Sequence, residues 1–292
     1  MLSYDRLMQS LQLTLRDLVD GFPGHCALAL TDVGTGEYAG IDEEVAMAAA
    51  SVIKVPVLAA LFRAEGQGRL SLEGRVTPGP RQEIEGSGVV RYLSPDIEMT
   101  LRDAAILMTI VSDNPAFEMC LDALGGVGPV NEISRELGLA NTLLRRRLTE
   151  KAPTPDGREF AVTTAADMCR LFAMVARSEV ISRAASRDML GMLRCQQSHN
   201  KLARYLAWSE LGAPPGDPKR NWIASKDGVN AYHGVRNDAA IVCRDGRLVA
   251  VAAFTEFGDH AVTGEHPGDV LLGRIGEAIW DWLGENSASS AR

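Results

Sequence analysis

A serine and a lysine three positions apart, in Ser51-Val-Ile-Lys54, have the types and spacing needed for acyl-transfer chemistry. The apolar run that follows predicts a helix, and residues three apart lie on one helix face. A neutral lysine amine can take the serine proton there, and the helix dipole favours the developing negative charge. A second such pair, Ser198-His-Asn-Lys201, has no apolar helix behind it. We therefore interpret the second pair as a chance match.

Two further short motifs contain polar groups suited to a site. Ser112-Asp-Asn114 follows a helix with a buried pattern, so it is predicted to form a loop at a lobe boundary. Its competing interpretation is a helix cap, because these residue types are common caps. Lys226-Asp-Gly228 ends a strand predicted over 222–225, where the lysine adds positive charge and the glycine permits close backbone approach. Its competing interpretation is an ordinary turn.

Together and in this order, the three motifs resemble the S-x-x-K, S-D-N and K-T-G elements of class A β-lactamases and penicillin-binding proteins. The resemblance covers nearly the whole chain, from TGEYAG through GSGVVRYLSPDIEMTLRDAAILMTIVSDNPA to TTAADM and two later strands. It is similar to chains described as β-lactamase-related serine hydrolases. The resemblance implies an α+β fold, in which terminal helices cover a five-stranded antiparallel sheet beside a helical lobe.

The resemblance implies a role for each matching residue. Ser51 is implied to be the acylated nucleophile, and Lys54 its activating base or proton relay. Ser112 would pass the proton to the leaving-group nitrogen. Asn114 would bind a substrate amide.

The later strands would contribute the rest of the implied site. Lys226 would supply positive charge near the substrate carboxylate, beside the glycine Gly228. The N–H group of Val229 would complete an oxyanion hole with that of the nucleophile. Arg236, on the next strand, would bind a carboxylate, and its competing interpretation is a surface arginine on a sheet edge.

Asp227 departs from the family's motif, which usually has Thr or Ser in this position. A hydroxyl there helps to bind the substrate carboxylate, whereas an ionised aspartate cannot donate a hydrogen bond and repels an anion. We expect Asp227 to pair with Lys226 or Arg236 and to cancel part of their charge. Our hypothesis is that the site recognises penicillin-like carboxylates weakly.

The loop before TTAADM is the second departure. Class A β-lactamases have E-x-x-L-N there, and its glutamate activates the deacylating water, but this chain has LRRRLTEKAPTPDGREFAV. Glu150 is the nearest candidate for the catalytic carboxylate, with Asp156 and Glu159 behind it, and the competing interpretation is a solvated loop residue. If no carboxylate reaches the site, we expect a long-lived acyl enzyme, as in a penicillin-binding protein.

Periodicity along the chain predicts the elements that position these residues. Leucines at helical spacing predict an amphipathic helix over 4–22, and two apolar runs around Asp32-Val-Gly-Thr-Gly36 predict a hairpin. Helical patterns fill the middle, and a last helix is predicted over 269–283. Before it, three strands are predicted over 222–225, 235–243 and 248–257, with a hairpin turn at Asp245-Gly246.

The simplest arrangement joins the terminal strands in one antiparallel sheet. We therefore predict a discontinuous α/β sheet lobe from 1–50 and 216–292 and an all-helical lobe from 51–215. The active site is predicted to lie between them.

Composition limits the partners and the location. The 292 residues carry a formal net charge of −8, which argues against nucleic acid or an anionic membrane as the main partner. The chain has no apolar run long enough for a transmembrane helix and no signal-peptide pattern at its start. We expect a cytoplasmic protein, and an extracellular one only if a leader has been removed.

The remaining expectations concern ligands and assembly. Five widely separated cysteines predict reduced, buried thiols rather than zinc ligands. We expect no metal and no cofactor, a small amide or ester as the substrate, and a monomer or homodimer.

The motifs predict a serine hydrolase that forms an acyl-Ser51 intermediate on an amide, with β-lactam hydrolysis within its scope. The alternatives on the same fold are a D-alanyl peptidase, an esterase, an amidase or a transacylase. The alternative from another class is an acylated sensor or binding module with little turnover.

Overall fold

Strands from both ends of the chain pair in one five-stranded antiparallel sheet. The computed structural model describes residues 4–94, 96–150, 157–206, 221–258 and 265–290. The strands are β1 (His25–Asp32), β2 (Tyr38–Ile41), β3 (Met47–Ala48), β4 (Arg75–Val76), β5 (Met99–Thr100), β6 (Leu143–Leu144), β7 (Ala161–Thr163), β8 (Trp222–Asn230), β9 (Val235–Arg244) and β10 (Arg247–Glu256). The large sheet has the order β2, β1, β10, β9 and β8, so β8 is an edge strand.

Helices cover both faces of this sheet. They are α1 (Tyr4–Asp20), α2 (Lys54–Gly66), α3 (Leu101–Ile110), α4 (Asn114–Leu124), α5 (Gly128–Glu136), α6 (Ala165–Ala176), α7 (Arg183–Arg194) and α8 (Pro267–Ser290). Side chains alternate between the faces of a strand. Leu28 and Leu30 of β1 therefore pack in one core cluster with α1 and α8, while Ala27 and Ala29 belong to a second cluster with α6.

The predicted α+β fold class is confirmed, because the terminal strands form the sheet and the terminal helices cover one of its faces. The hairpin turn is also confirmed, since Asp245 and Gly246 both have positive φ, at 51° and 80°. Strand β8 is longer than predicted, because it pairs with β9 along its whole length. The Lys226-Asp-Gly228 motif therefore lies within the edge strand and not at its end.

Residues 51–215 supply most of the helices, but they also contain short strands, which corrects the prediction of an all-helical lobe. Strand β4 pairs with β5, and β7 pairs with β6 and β3. Strands of two or three residues are too short to show an alternating pattern in the sequence. Among the described residues, no helix combines the length and the apolar character needed to cross a membrane.

Candidate active site

Ser51 lies in a turn of 3-10 helix (Ala50–Ile53) that leads directly into α2. The chain before it is fixed by the pairing of β3 with β7 and by the Ala49 N–H, which donates to the Ala161 carbonyl at 3.0 Å. Ala50 has a φ of 46°, a left-handed conformation that is uncommon for residues with a side chain. Such strained residues concentrate at functional sites. The backbone therefore supports a functional position for the half-buried Ser51.

Lys54 is buried, and its amine contacts the Ser112-Asp-Asn114 triplet. Its Nζ donates to the Ser112 carbonyl at 2.6 Å, to Ser112 Oγ at 3.1 Å and to Asn114 Oδ1 at 2.9 Å. All three acceptors are uncharged. Burial holds the pKa of Lys54 well below its ordinary value, and the positive charge of Lys226 lowers it further. The amine therefore loses its proton at a lower pH than an ordinary lysine does.

The triplet Ser112-Asp-Asn114 caps a helix and also forms, with Lys54, a first cluster of polar groups. Asp113 is fully buried, and its Oδ1 accepts the Ala116 N–H as the N-cap of α4. Its Oδ2 accepts the N–H groups of Val89 and Val90 at 2.6 and 2.9 Å. Ser112 has a φ of 56°, again left-handed. The cap therefore fixes the residues on either side of Asp113, which are the two that contact the lysine amine.

A loop with two glycines lies against the triplet. Asn114 Nδ2 donates to the Glu85 carbonyl at 2.8 Å, which turns its Oδ1 toward the lysine, and its N–H donates to the Ser87 carbonyl at 3.0 Å. Gly88 has a φ of 116°, and a Cβ there would collide with the Asp113 carboxylate. Glycine at this position is therefore required for the contact.

A second cluster forms where Lys226 and Lys201 share the carboxylate of Asp227. Lys226 Nζ lies 3.1 Å from Asp227 Oδ1, and Lys201 Nζ lies 2.9 Å from Oδ2. Ser198 Oγ donates to the same Oδ2 at 2.9 Å. Burial alone would raise the pKa of Asp227, but the two lysine charges hold it below its ordinary value. The carboxylate is therefore ionised at neutral pH.

One expectation about this cluster is confirmed and another is corrected. The expected pairing of Asp227 with Lys226 is confirmed, and Lys201 is a second cation on the same carboxylate that the sequence did not indicate. The pair Ser198 and Lys201, interpreted as a chance match, lies at the site because the chain after α7 packs against β8.

Strand β8 passes close to the serine. A Cβ on Gly228 would lie 2.9 Å from the Ser51 nitrogen, so glycine allows this approach. Val229 follows in the strand and is 40% exposed. Asn237 of β9 donates from Nδ2 to the Ala48 carbonyl at 2.8 Å, which ties the sheet to the chain before the serine. The serine and the charged cluster therefore lie side by side.

Arg236 is buried instead of lying on the surface, since β9 is an inner strand of the sheet. Its Nε lies 3.4 Å from Asp269 Oδ2 at the start of α8, and Asp269 Oδ1 lies 3.9 Å from Lys201 Nζ. Asp238 is buried beside the same groups, and burial together with the charge of Asp227 raises its pKa to about 7. The guanidinium thus belongs to an extended network of paired charges.

Glu150 lies in an exposed turn. Its carboxylate accepts the Arg147 N–H at 3.3 Å, and its carbonyl accepts from Arg146 Nη1 at 2.5 Å. For the part of the chain that is described, these contacts remain within the turn, which is the solvated-loop arrangement. Asp156 lies outside the described residues, and Glu159 is half-buried in a 3-10 turn (Gly157–Glu159). The structure therefore does not bring Glu150 together with the lysine amine.

The cysteine side chains are not paired in disulfides. All five cysteines are described and are free thiols, of which four are buried and Cys195 is exposed. Burial, reinforced by the charge of Asp42, raises the pKa of Cys26 to about 12, which keeps it an unreactive thiol at neutral pH. Within the described ranges, no group of three or more His, Cys, Asp or Glu side chains is arranged to hold a metal ion.

A family model described as the beta-lactamase enzyme family matches residues 10–283. The chain belongs to this family. It is 32% identical to the beta-lactamase regulatory protein BlaB of Streptomyces cacaoi over 169 residues, which cover 54% of this chain and 49% of that protein. It is 32% identical to beta-lactamase CARB-4 of Pseudomonas aeruginosa over 129 residues, which cover 42% of each. The matches thus span about half the length of these two relatives, or less.

Solved structures of beta-lactamase-like proteins share the fold over nearly the whole chain. A beta-lactamase from Sphaerobacter thermophilus has a TM-score of 0.80 at 25% identity, with 94% of this chain and 97% of that chain covered. PBP-A has a TM-score of 0.79 at 25% identity, with 95% and 97% covered. The fold is therefore that of class A beta-lactamases.

Sequence reasoning missed two parts of the site in this beta-lactamase-family chain. Lys201 and Ser198 were visible only as a second S-x-x-K spacing, which does not show that they contact Asp227. The role of Gly88 was visible only as a glycine in the segment GSG. Neither signal identifies the residue across the fold that each of them contacts.

Proposed function

We propose that the protein is a serine hydrolase that acts through an acyl enzyme on Ser51, with amides, including β-lactams, as substrates. The observation that carries the proposal is the buried amine of Lys54, three residues after the serine and hydrogen-bonded to uncharged oxygens of Ser112 and Asn114. An amine in that environment is a base for the serine hydroxyl.

The proposed acylation follows from these positions. Lys54 takes the hydroxyl proton of Ser51, and Oγ forms a bond to the carbonyl carbon of the substrate. The N–H groups of Ser51 and Val229 are the proposed donors to the oxyanion, and one such donor contributes about 3 kcal/mol to the stability of the transition state. The C–N bond then breaks, and the proton passes from Lys54 through Ser112 Oγ to the leaving nitrogen.

Deacylation requires a base that activates water, and the position of Glu150 does not favour it for this role. We therefore propose slow hydrolysis of the acyl enzyme. This observation and the similarity to the regulatory protein BlaB favour a second candidate, a sensor or binding module that Ser51 acylation switches with little turnover.

Intact-mass spectrometry tests the proposal. The wild type, Ser51→Ala and Ser10→Ala are mixed with a penicillin or a cephalosporin and sampled over time. Ser10 is an exposed serine of α1 and provides the matched control. We expect an adduct on the wild type and Ser10→Ala but not on Ser51→Ala.

The adducts identify the nucleophile, and their lifetime distinguishes a sensor from a β-lactamase. An adduct on Ser51→Ala would show that another residue is the nucleophile. An adduct that persists for hours without loss of substrate favours the sensor, and an adduct that decays while substrate disappears favours the β-lactamase.

A further inference from the structure

The cationic side chains around Asp227 and Asp269 are already paired with carboxylates of the protein. Lys226 and Lys201 both contact Asp227, at 3.1 and 2.9 Å. Arg236 contacts Asp269 at 3.4 Å. With the buried Asp238 beside them, three cationic side chains face three carboxyl groups. The network therefore presents little uncompensated positive charge to an anionic ligand.

Asp227 is the most exposed of the three side chains that meet at its carboxylate. Its side chain is 13% exposed, whereas those of Lys226 and Lys201 are 0% and 2% exposed. It precedes Gly228, which approaches the Ser51 nitrogen. The Asp227 side chain is thus more exposed than the two lysines that contact it, and it lies one residue before the closest approach of β8 to Ser51.

A ligand carboxylate can bind at this position only if Asp227 stays in place or moves away, and both arrangements are unfavourable. If Asp227 stays in place, two negative charges come close together. If Asp227 moves away, its contacts with Lys226, Lys201 and Ser198 are lost. A neutral group avoids both outcomes.

We infer that the site selects acyl substrates without a carboxylate next to the scissile bond, because Asp227 occupies the place between the two lysines that such an anion would need. The inference rests on the proposed function and names its substrate class, amides and esters that have no carboxylate next to the scissile bond. The chemistry is unchanged: the Ser51 Oγ–carbon bond forms, the carbon–nitrogen or carbon–oxygen bond breaks, and the serine proton leaves on the departing atom.

The test compares penicillin G with its methyl ester, which differ in the charge of one group. Acylation rates are measured by intact mass for the wild type and for Asp227→Thr. We expect the wild type to react about ten-fold or more faster with the ester than with the acid, because like charges repel across the site. In Asp227→Thr the two lysines are released, and we expect the acid to gain about ten-fold or more relative to the ester.

Two further variants keep the test decisive. Asp227→Thr/Lys201→Met removes one charge of each sign, so it serves if Asp227→Thr does not fold, and the same gain is expected from the remaining Lys226. Asp188→Thr makes the same replacement at a half-exposed position on α7, and it should keep the wild-type ratio of the two rates.

The outcomes separate the inference from the proposed function. A wild type that prefers the acid, or a ratio that Asp227→Thr and the double variant leave unchanged, would overturn the inference while acylation of Ser51 still supports the proposed function. If neither compound acylates Ser51, the proposed function fails for β-lactams, and the inference fails with it.

Discussion

Two buried lysines near Ser51 differ in the partners of their amines. Lys54 donates to a carbonyl, a hydroxyl and an amide oxygen, all uncharged. Lys226 contacts the carboxylate of Asp227. Burial lowers the pKa of both amines, but at Lys226 the adjacent negative charge opposes this shift.

A buried amine is suited to different tasks depending on whether a carboxylate contacts it. Burial without a contacting carboxylate disfavours the ammonium form, so Lys54 is suited to accept a proton. A contacting carboxylate favours the charged form of a buried amine, so Lys226 is suited to hold another group in place. The same residue type is thus suited to two different tasks, because only Lys226 contacts a carboxylate.

The largest expected effect comes from removing the proton acceptor. Lys54→Arg keeps a positive charge but remains protonated at every accessible pH. We expect acylation to slow by about 10²- to 10⁴-fold, the usual contribution of general acid–base catalysis. Intact-mass time courses with a penicillin measure it, and thermal unfolding checks the fold. Retention of the wild-type rate in Lys54→Arg and also in Lys54→Met would show that this amine is not the base.

The second effect concerns the free energy of unfolding, and it compares the same substitution in the two clusters. Lys201→Met leaves Asp227 with one counter-ion fewer, and we expect a loss of about 3 kcal/mol. Lys54→Met removes a buried amine that contacts no carboxylate, so we expect no comparable loss. Urea denaturation of both variants measures the difference. Equal losses of unfolding free energy would show that a contacting carboxylate makes no difference to what a buried lysine contributes to stability.

Each motif around Lys54 could be predicted from the sequence because it depends on local spacing, whereas the meeting of Lys54 with Ser112, 58 residues away, was implied only by the family resemblance. The serine–lysine pair shares one turn, and the triplet Ser112-Asp-Asn114 caps the helix that it precedes. The large sheet and the terminal helices could be predicted for the same reason, from the periodicity of strands and helices.

The charged cluster could not be predicted in the same way. Lys201 is 26 residues from Asp227 in sequence, and their contact depends on how the chain after α7 packs against β8. No spacing rule relates positions that meet only through tertiary packing. The short strands β3 and β6 were missed for a related reason, since two residues show no period.

The third effect is the pH dependence of stability caused by Asp238, which lies among Asp227, Lys201 and Lys226. Its pKa is about 7 in the folded protein and about 3.9 in the unfolded chain, so between these values the folded state holds an extra proton. Raising the pH in this window therefore favours unfolding.

Relative to Asp238→Asn, we expect the wild type to lose about 1.4 kcal/mol of unfolding free energy for each pH unit in this window. Urea denaturation of both proteins from pH 4.5 to 7 measures the slope. The contribution of Asp227 has the opposite sign, but because its folded pKa is lowered, that contribution changes mainly below about pH 3.9, outside the measured range. A difference between the two proteins that does not change with pH would contradict the assigned protonation.

The smallest expected effect concerns the electrostatic interaction between Lys226 and Lys54. The charge of Lys226 disfavours the ammonium form of Lys54, so Lys226→Met should raise the pKa of Lys54. Because acylation needs the neutral amine, its rate rises with pH through that pKa, and the midpoint of the profile should move to higher pH. Rates from pH 5 to 9 measure this shift, with Asp188→Thr as the control. A midpoint that stays in place would show that the two amines do not interact, and a midpoint that moves to lower pH would contradict the sign of the interaction.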